Sequence, residues 1–143
     1  MPSSKAYQKE LRNRWKAAGL CSMCGIGKPR KGLLTCKDCE SRYREYHRSL
    51  KRKILKAYGQ KCVCCGITTY EFLCLDHVNN DGKQDRKELG SGMTSGALYR
   101  LIIRLGYPKK YQILCHNCNM SLGFFGYCPH QPKIKRSISK NKA

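Results

Sequence analysis

Along the first twenty residues the apolar positions Tyr7, Leu11, Trp15 and Ala18 recur at three- and four-residue steps, which predicts an amphipathic helix over Ser4 to Ala18. Ser3-Ser4 supplies a start signal and Gly19 a stop. A second stripe, Tyr43, His47 (or Tyr46), Leu50, Ile54 and Ala57, predicts a helix from Ser41 to Tyr58, ended by Gly59. Further along, Phe72 to His77 reads as a strand and Asn79 to Gly92 as a polar, glycine-rich loop. Leu98, Leu101, Ile102 and Leu105 form the buried side of a helix over Ser95 to Leu105, which Gly106 and Pro108 terminate. Tyr111 to Leu114 follows as a short strand, then a short helix opening at Cys115–Asn119 and stopping near Gly123. The basic segment beyond Pro132 is expected to be disordered.

The polar faces of these helices are strongly basic. The first carries Lys5, Lys9, Arg12, Arg14 and Lys16; the second carries Arg42, Arg44, Arg48, Lys51, Arg52, Lys53 and Lys56. Over the whole chain 29 Lys and Arg face 9 Asp and Glu, a formal net charge of +20. Two four-thiolate zinc sites would trim this to roughly +16, which still points to nucleic acid as partner. Such contacts give affinity rather than sequence choice. Arg86, Lys87 and Arg100 lie nearer the candidate site described below and could hold a substrate strand.

With 143 residues and 41% hydrophobic content the chain has little apolar mass, yet it holds eleven cysteines. No secretory signal is visible at the start and no apolar run is long enough to span a bilayer, so the expected setting is intracellular, with no membrane partner. In a reducing compartment cysteines spaced C-x-x-C are zinc ligands more often than disulfides. Cys21, Cys24, Cys36 and Cys39 make one expected zinc site; Cys62, Cys65, Cys115 and Cys118 make the second, with Cys64 outside the two-residue gap. Cys128 and His130 could form a partial third site with Cys64, while Cys74 is expected to be an unligated thiol.

Leu75-Asp76-His77 at a strand end, a loop, and then Cys118-Asn119, bracketed by the second pair of knuckles, resembles the HNH or ββα-metal (His-Me finger) nucleases. The likeness is strongest to the zinc-bracketed subtype of phage endonuclease VII, and it covers about Tyr58 to Gly126. It implies that Asp76 and Asn119 hold a catalytic Mg²⁺ or another divalent cation and that His77 is the general base. The chemistry is consistent: an imidazole can take a proton from water near neutral pH, and hard oxygen donors suit Mg²⁺. An Asn often precedes the Leu-Cys pair in that family and orients the imidazole; here Lys110-Tyr111-Gln112 occupies the region. The orienting group is left open between Gln112, Asn117 and a backbone carbonyl.

The expected fold is a small, zinc-stabilised α+β protein, with a ββα-metal core preceded by a four-cysteine zinc module and basic helices. Its expected parts are residues 1–58 for DNA binding, 59–131 as the nuclease domain with the second zinc, and 132–143 as a basic tail. The expected function is metal-dependent hydrolysis of DNA phosphodiester bonds by a monomer or homodimer. The alternative is a non-catalytic zinc protein that uses the same basic surface to bind nucleic acid.

Overall fold

A computed structural model of the chain describes residues 4–90 and 93–135, apart from the side chains of Arg86, Leu89 and residues 132–135. It divides into two compact units, Met1–Arg48 and Ser49–Ala143. The boundary falls inside a helix, ten residues before the Tyr58/Gly59 junction of the sequence reading. The reason is packing: Ile54 and Leu55, late in that helix, belong to the apolar core of the second unit.

In the first unit, α1 spans Lys5–Ala17, and the Ser4 hydroxyl accepts from the Tyr7 N–H at 3.2 Å as an N-cap. The expected apolar stripe does not become a buried face. No residue of α1 is buried and Tyr7 is 54% exposed, because this unit offers the stripe no aliphatic core to pack on. The Trp15 ring instead lies over the first cysteine knuckle. A β-carbon on Gly25 would sit 2.3 Å from Trp15 Cε2, and Gly25 has φ +68°, so both space and backbone require glycine there. The loop between the knuckles closes through Ser22 N–H to Leu34 O at 2.8 Å and Arg30 N–H to Thr35 O at 3.1 Å, with no strand in it.

Helix α2 spans Lys37–Ala57, four residues longer at its start than the apolar stripe predicts. Asp38 and Glu40 in its first turn complement the positive end of the helix dipole, and Glu40 pairs with both Arg30 and Arg44. The extension is therefore polar and invisible to an apolar periodicity.

The second unit holds β1 (Leu73–His77) and β2 (Tyr111–Cys115), paired antiparallel from Leu73↔Cys115 to His77↔Tyr111. Leu73, Ile113 and Leu114 bury against Ile54, Leu55, Ile102 and Leu122, and at about 1.5–3 kcal/mol for each fully buried aliphatic side chain this cluster is the main apolar contribution to the unit. Three further helices are α3 (Gly82–Leu89), α4 (Ser95–Arg104) and α5 (His116–Phe125); α5 follows β2 directly and packs on both strands. Helix α3 corrects the expectation of a loop from Asn79 to Gly92: Asp81 precedes it as N-cap and Gly90, at φ +97°, stops it. A hairpin, β3 (Tyr127–Cys128) with β4 (Gln131–Lys135), corrects the start of the expected disordered tail, since backbone pairing orders residues 132–135. Residues 136–143 of that tail lie outside the described ones.

Candidate functional site

The cysteines form two four-sulfur groups as the spacing predicts. In each of the groups Cys21, Cys24, Cys36, Cys39 and Cys62, Cys65, Cys115, Cys118 the sulfur atoms lie within 4.8 Å of one another. Cys24 and Cys36 are 3.9 Å apart, and Cys65 and Cys115 are 3.7 Å apart. A tetrahedron with metal–sulfur bonds of about 2.3 Å has edges of about 3.8 Å, so both groups fit zinc. Two of the knuckles repeat a local design: Gly25 N–H donates to Cys21 O at 2.8 Å and Gly66 N–H to Cys62 O at 2.9 Å, turning the C-x-x-C pair toward one point. The fourth knuckle doubles as a helix cap, with Cys115 Sγ accepting from Cys118 N–H at 3.4 Å at the start of α5.

These environments favour thiolates unevenly. Burial pushes Cys21 up, but the N–H groups of Cys36, Met23 and Cys24 outweigh it and lower the thiol to about 6. Burial likewise opposes Cys62, and the N–H groups of Cys65, Cys115 and Cys64 bring it down to about 7. Cys39 is pushed up to about 12, first by burial and then by the neighbouring Cys24, although the Arg42 guanidinium, 3.3 Å from its sulfur, pulls the other way. A bound cation would remove this competition by stabilising all four thiolates together.

His77 ends β1, and its partner is Asp85, a residue the sequence reading did not consider. Its Nε2 lies 2.9 Å from Asp85 Oδ2. Asp85 is the buried charged residue among the described ones, and it is fully engaged: Lys110 Nζ donates to Oδ1 at 2.8 Å and Tyr111 OH to Oδ2 at 2.9 Å. Burial opposes its charge, but the hydrogen bonds from Lys110, His77 and Tyr111 hold the carboxyl below the ordinary carboxylate range. Tyr111 is pushed up to about 12 by burial and then by Asp85. The signal available in sequence was an Asp-Gly start before KQDRKEL, which puts Asp85 one turn into a helix and eight residues after His77.

With a carboxylate on Nε2, a neutral imidazole keeps its proton there and presents Nδ1 as the acceptor. The space beside Nδ1 is held open by Gly82, where a β-carbon would lie 2.9 Å from Nδ1 and 3.1 Å from Cε1. A cavity of ≈ 210 Å³ opens beside the ring, lined by Gly82, Asp85, Thr94, Ser95 and Leu98 among others.

Asp76 and Asn119 belong to different surroundings. The β1–β2 ladder includes His77↔Tyr111, and Val78 N–H donates to Lys110 O beyond it at 2.9 Å, so strand alternation sets Asp76 and His77 on opposite faces. Asp76 Oδ2 accepts from Gln112 Nε2 at 3.0 Å, which removes Gln112 as the orienting group for His77. Asn119, in the first turn of α5, donates from Nδ2 to Cys74 Sγ at 3.5 Å. Cys74 and Asp76 occupy alternate positions of one strand, so Asp76 and Asn119 share the face that α5 covers. Their carboxylate and amide oxygens are the hard donors that a Mg²⁺ ion takes. Cys74, raised by burial, is in none of the metal-binding groups found among the described residues.

Comparison with protein-family models, with curated proteins and with solved structures gave no match. The residues themselves therefore carry the functional argument.

Several of the basic residues expected at DNA already have partners within the chain. Arg42 donates to Cys39 Sγ, Arg44 pairs with Glu40, and Arg48 lies 3.8 Å from Glu45. Lys51 donates to Tyr70 O at 3.1 Å and stands over the Tyr70 ring. Arg52, Lys53, Lys56, Lys87 and Arg100 are exposed, and the side chain of Arg86 lies outside the described ones. His47 is half-buried, while His116 lines a small surface cavity with Ile67, Phe72, Cys115 and Asn117. None of the helices among the described residues is long and apolar enough to cross a membrane.

The Asp85 network yields a pH prediction. A carboxyl whose native pKa is depressed contributes stability that is complete above its unfolded value, about 3.9, and is lost as the pH falls through the native value. Thermal midpoints of the wild type and Asp85→Asn should differ by a constant amount down to about pH 5 and converge as the pH falls below about 4. Taking the difference between the two proteins cancels proton competition at the thiolates they share. A gap that stays unchanged below about pH 4 would contradict the assignment.

Proposed function

We propose that this protein is a divalent-metal-dependent DNA endonuclease that hydrolyses phosphodiester bonds, with His77 as general base, Asp76 and Asn119 holding Mg²⁺ or a similar cation, and zinc in the two four-cysteine groups. The observation that carries this reading is the preorganised imidazole: Nε2 is tied to a buried, triply hydrogen-bonded carboxylate while glycine keeps the space at Nδ1 open. A purely structural histidine needs no such clearance on its second nitrogen. Supporting it, Asp76 and Asn119 come from a strand and the helix that directly follows its antiparallel partner, an arrangement in keeping with the ββα-metal resemblance.

In this reading His77 Nδ1 accepts the proton of the attacking water, and Asp85 stabilises the imidazolium that results. The metal, when bound, neutralises charge on the scissile phosphate and on the leaving oxygen. His77 is the last residue of β1, so a phosphodiester laid across that end of the strand would have to reach groups on both of its faces. Exposed Arg100 and Lys87 would hold the backbone on either side.

The test is incubation of the reduced, zinc-loaded protein with supercoiled plasmid, with and without Mg²⁺ or Mn²⁺. Conversion to nicked or linear DNA that requires the added cation is the expected result. Retardation of DNA with no cleavage in any divalent metal would overturn it in favour of a zinc-stabilised binding protein.

Gly82→Ala gives a sharper prediction. The methyl group would force the His77 ring to move by a few tenths of an ångström, so cleavage should drop about tenfold or more. The melting temperature should fall only modestly, because residue 82 opens a helix at an ordinary φ and the ring alone has to give. Unchanged turnover would mean that Nδ1 is not the reactive atom.

A further inference from the structure

The second unit contains more metal-ligand chemistry than one four-cysteine group uses. Cys64, set aside by its position inside the C-x-x-C gap, is buried, and its sulfur lies within 4.8 Å of both Cys118 and Cys128, which are also buried. His130 lies beside two of these sulfurs: its Nδ1 is 3.3 Å from Cys118 Sγ and 3.5 Å from Cys128 Sγ. For a zinc ion with a nitrogen ligand at about 2.0 Å and sulfur ligands at about 2.3 Å, tetrahedral geometry gives nitrogen–sulfur edges of about 3.5 Å.

We infer that the second unit binds two zinc ions rather than one, the second held by Cys64, Cys128 and His130 with Cys118 as a thiolate bridging to the ion of Cys62, Cys65 and Cys115. The bridge follows from counting donors. Cys64, Cys128 and His130 provide three ligands, a structural zinc takes four, and the sulfur within reach of all of them is Cys118. A single ion cannot use all seven side chains. Two divalent ions against six thiolates leave a net charge of −2, the same as for one four-thiolate site.

The local chain is built for this arrangement. Cys62 and Cys65 turn toward one ion while Cys64 between them serves the other, so one knuckle contributes to both. Cys128 and His130 flank Pro129 at the turn from β3 to β4, and β3 packs on α5, whose first turn carries Cys118. The second ion would thus staple the carboxy-terminal hairpin to the body of the unit. This inference does not depend on nuclease activity.

The experiment is metal stoichiometry on the full reduced chain, by native mass spectrometry and by elemental analysis. Three zinc ions per chain are expected, one in the first unit and two in the second. His130 is exposed, so His130→Ala should leave the fold intact and reduce the count to two, as should Cys128→Ser. Cadmium-113 substitution supplies an independent readout, since two ions sharing one sulfur give mutually coupled resonances while the ion of the first unit stays uncoupled. Two ions in the wild type, three in His130→Ala, or three uncoupled cadmium signals would each overturn the bridged site.

Discussion

Replacing His77 by alanine is expected to lower the rate of plasmid cleavage by roughly 10²–10⁴-fold, the usual contribution of a positioned general base. DNA affinity, read by gel retardation in the same buffer, should be unchanged, because the exposed lysines and arginines that would bind the phosphates are separate from the imidazole. The truncation removes one of three partners of the buried Asp85 and leaves Lys110 and Tyr111 in place, so the carboxylate remains neutralised and the fold persists. Asp85→Asn serves as the companion variant. Asparagine can still face Nε2, but it carries no charge to stabilise the imidazolium, so turnover should fall by a smaller factor and its dependence on pH should change. A merely structural Asp85 would alter stability and leave the pH profile of cleavage alone. Cleavage by His77→Ala within a few-fold of the wild type would remove His77 from the mechanism.

The second large effect concerns metal. In the first unit the buried apolar residues among those described are Cys21, Cys36 and Cys39, with Cys24 packed against them and not one aliphatic side chain. A structural zinc contributes about 10–16 kcal/mol of apparent binding free energy at neutral pH, against a typical net domain stability of about 5–15 kcal/mol. Cys36→Ser, or a zinc chelator stronger than the site, should therefore unfold residues 4–48. In a proton–nitrogen correlation spectrum their amide signals should collapse to random-coil positions. The second unit keeps Ile54, Leu73, Ile102, Ile113, Leu114 and Leu122 in Cys36→Ser, so its signals should stay dispersed. Native-like signals from residues 4–48 in fully stripped protein would show that some other interaction holds that unit.

The cysteine chemistry was readable in advance because a knuckle is local. Two residues between ligands set its geometry, helped by a glycine after Cys24 and after Cys65, and Cys21 to Cys39 and Cys62 to Cys118 assembled accordingly. Helices α1, α4 and α5 and both strands of the β1–β2 sheet followed their apolar periodicity to within a residue or two. Helix α3 was hidden because its residues are almost all polar and its start looks like a turn. Tyr7 was misjudged for the opposite reason: periodicity reveals that a helix has an apolar face, not whether anything waits to cover it.

By itself, then, the sequence determined the ligand sets of both four-cysteine groups, the basic character of the surface and most of the secondary structure, because the C-x-x-C spacing, the charges and the apolar periodicity are each written locally along the chain. Three things were decided by tertiary structure. Asp85 meets His77 and Lys110 because α3 folds back beneath the end of the β1–β2 pair; Gln112 goes to Asp76 because strand register places them opposite one another; and Cys118 lies between two groups of ligands because α5 and the β3–β4 hairpin converge on it. Each joins residues through a packing arrangement that burial of the apolar core imposes, and neither spacing nor composition encodes such a contact.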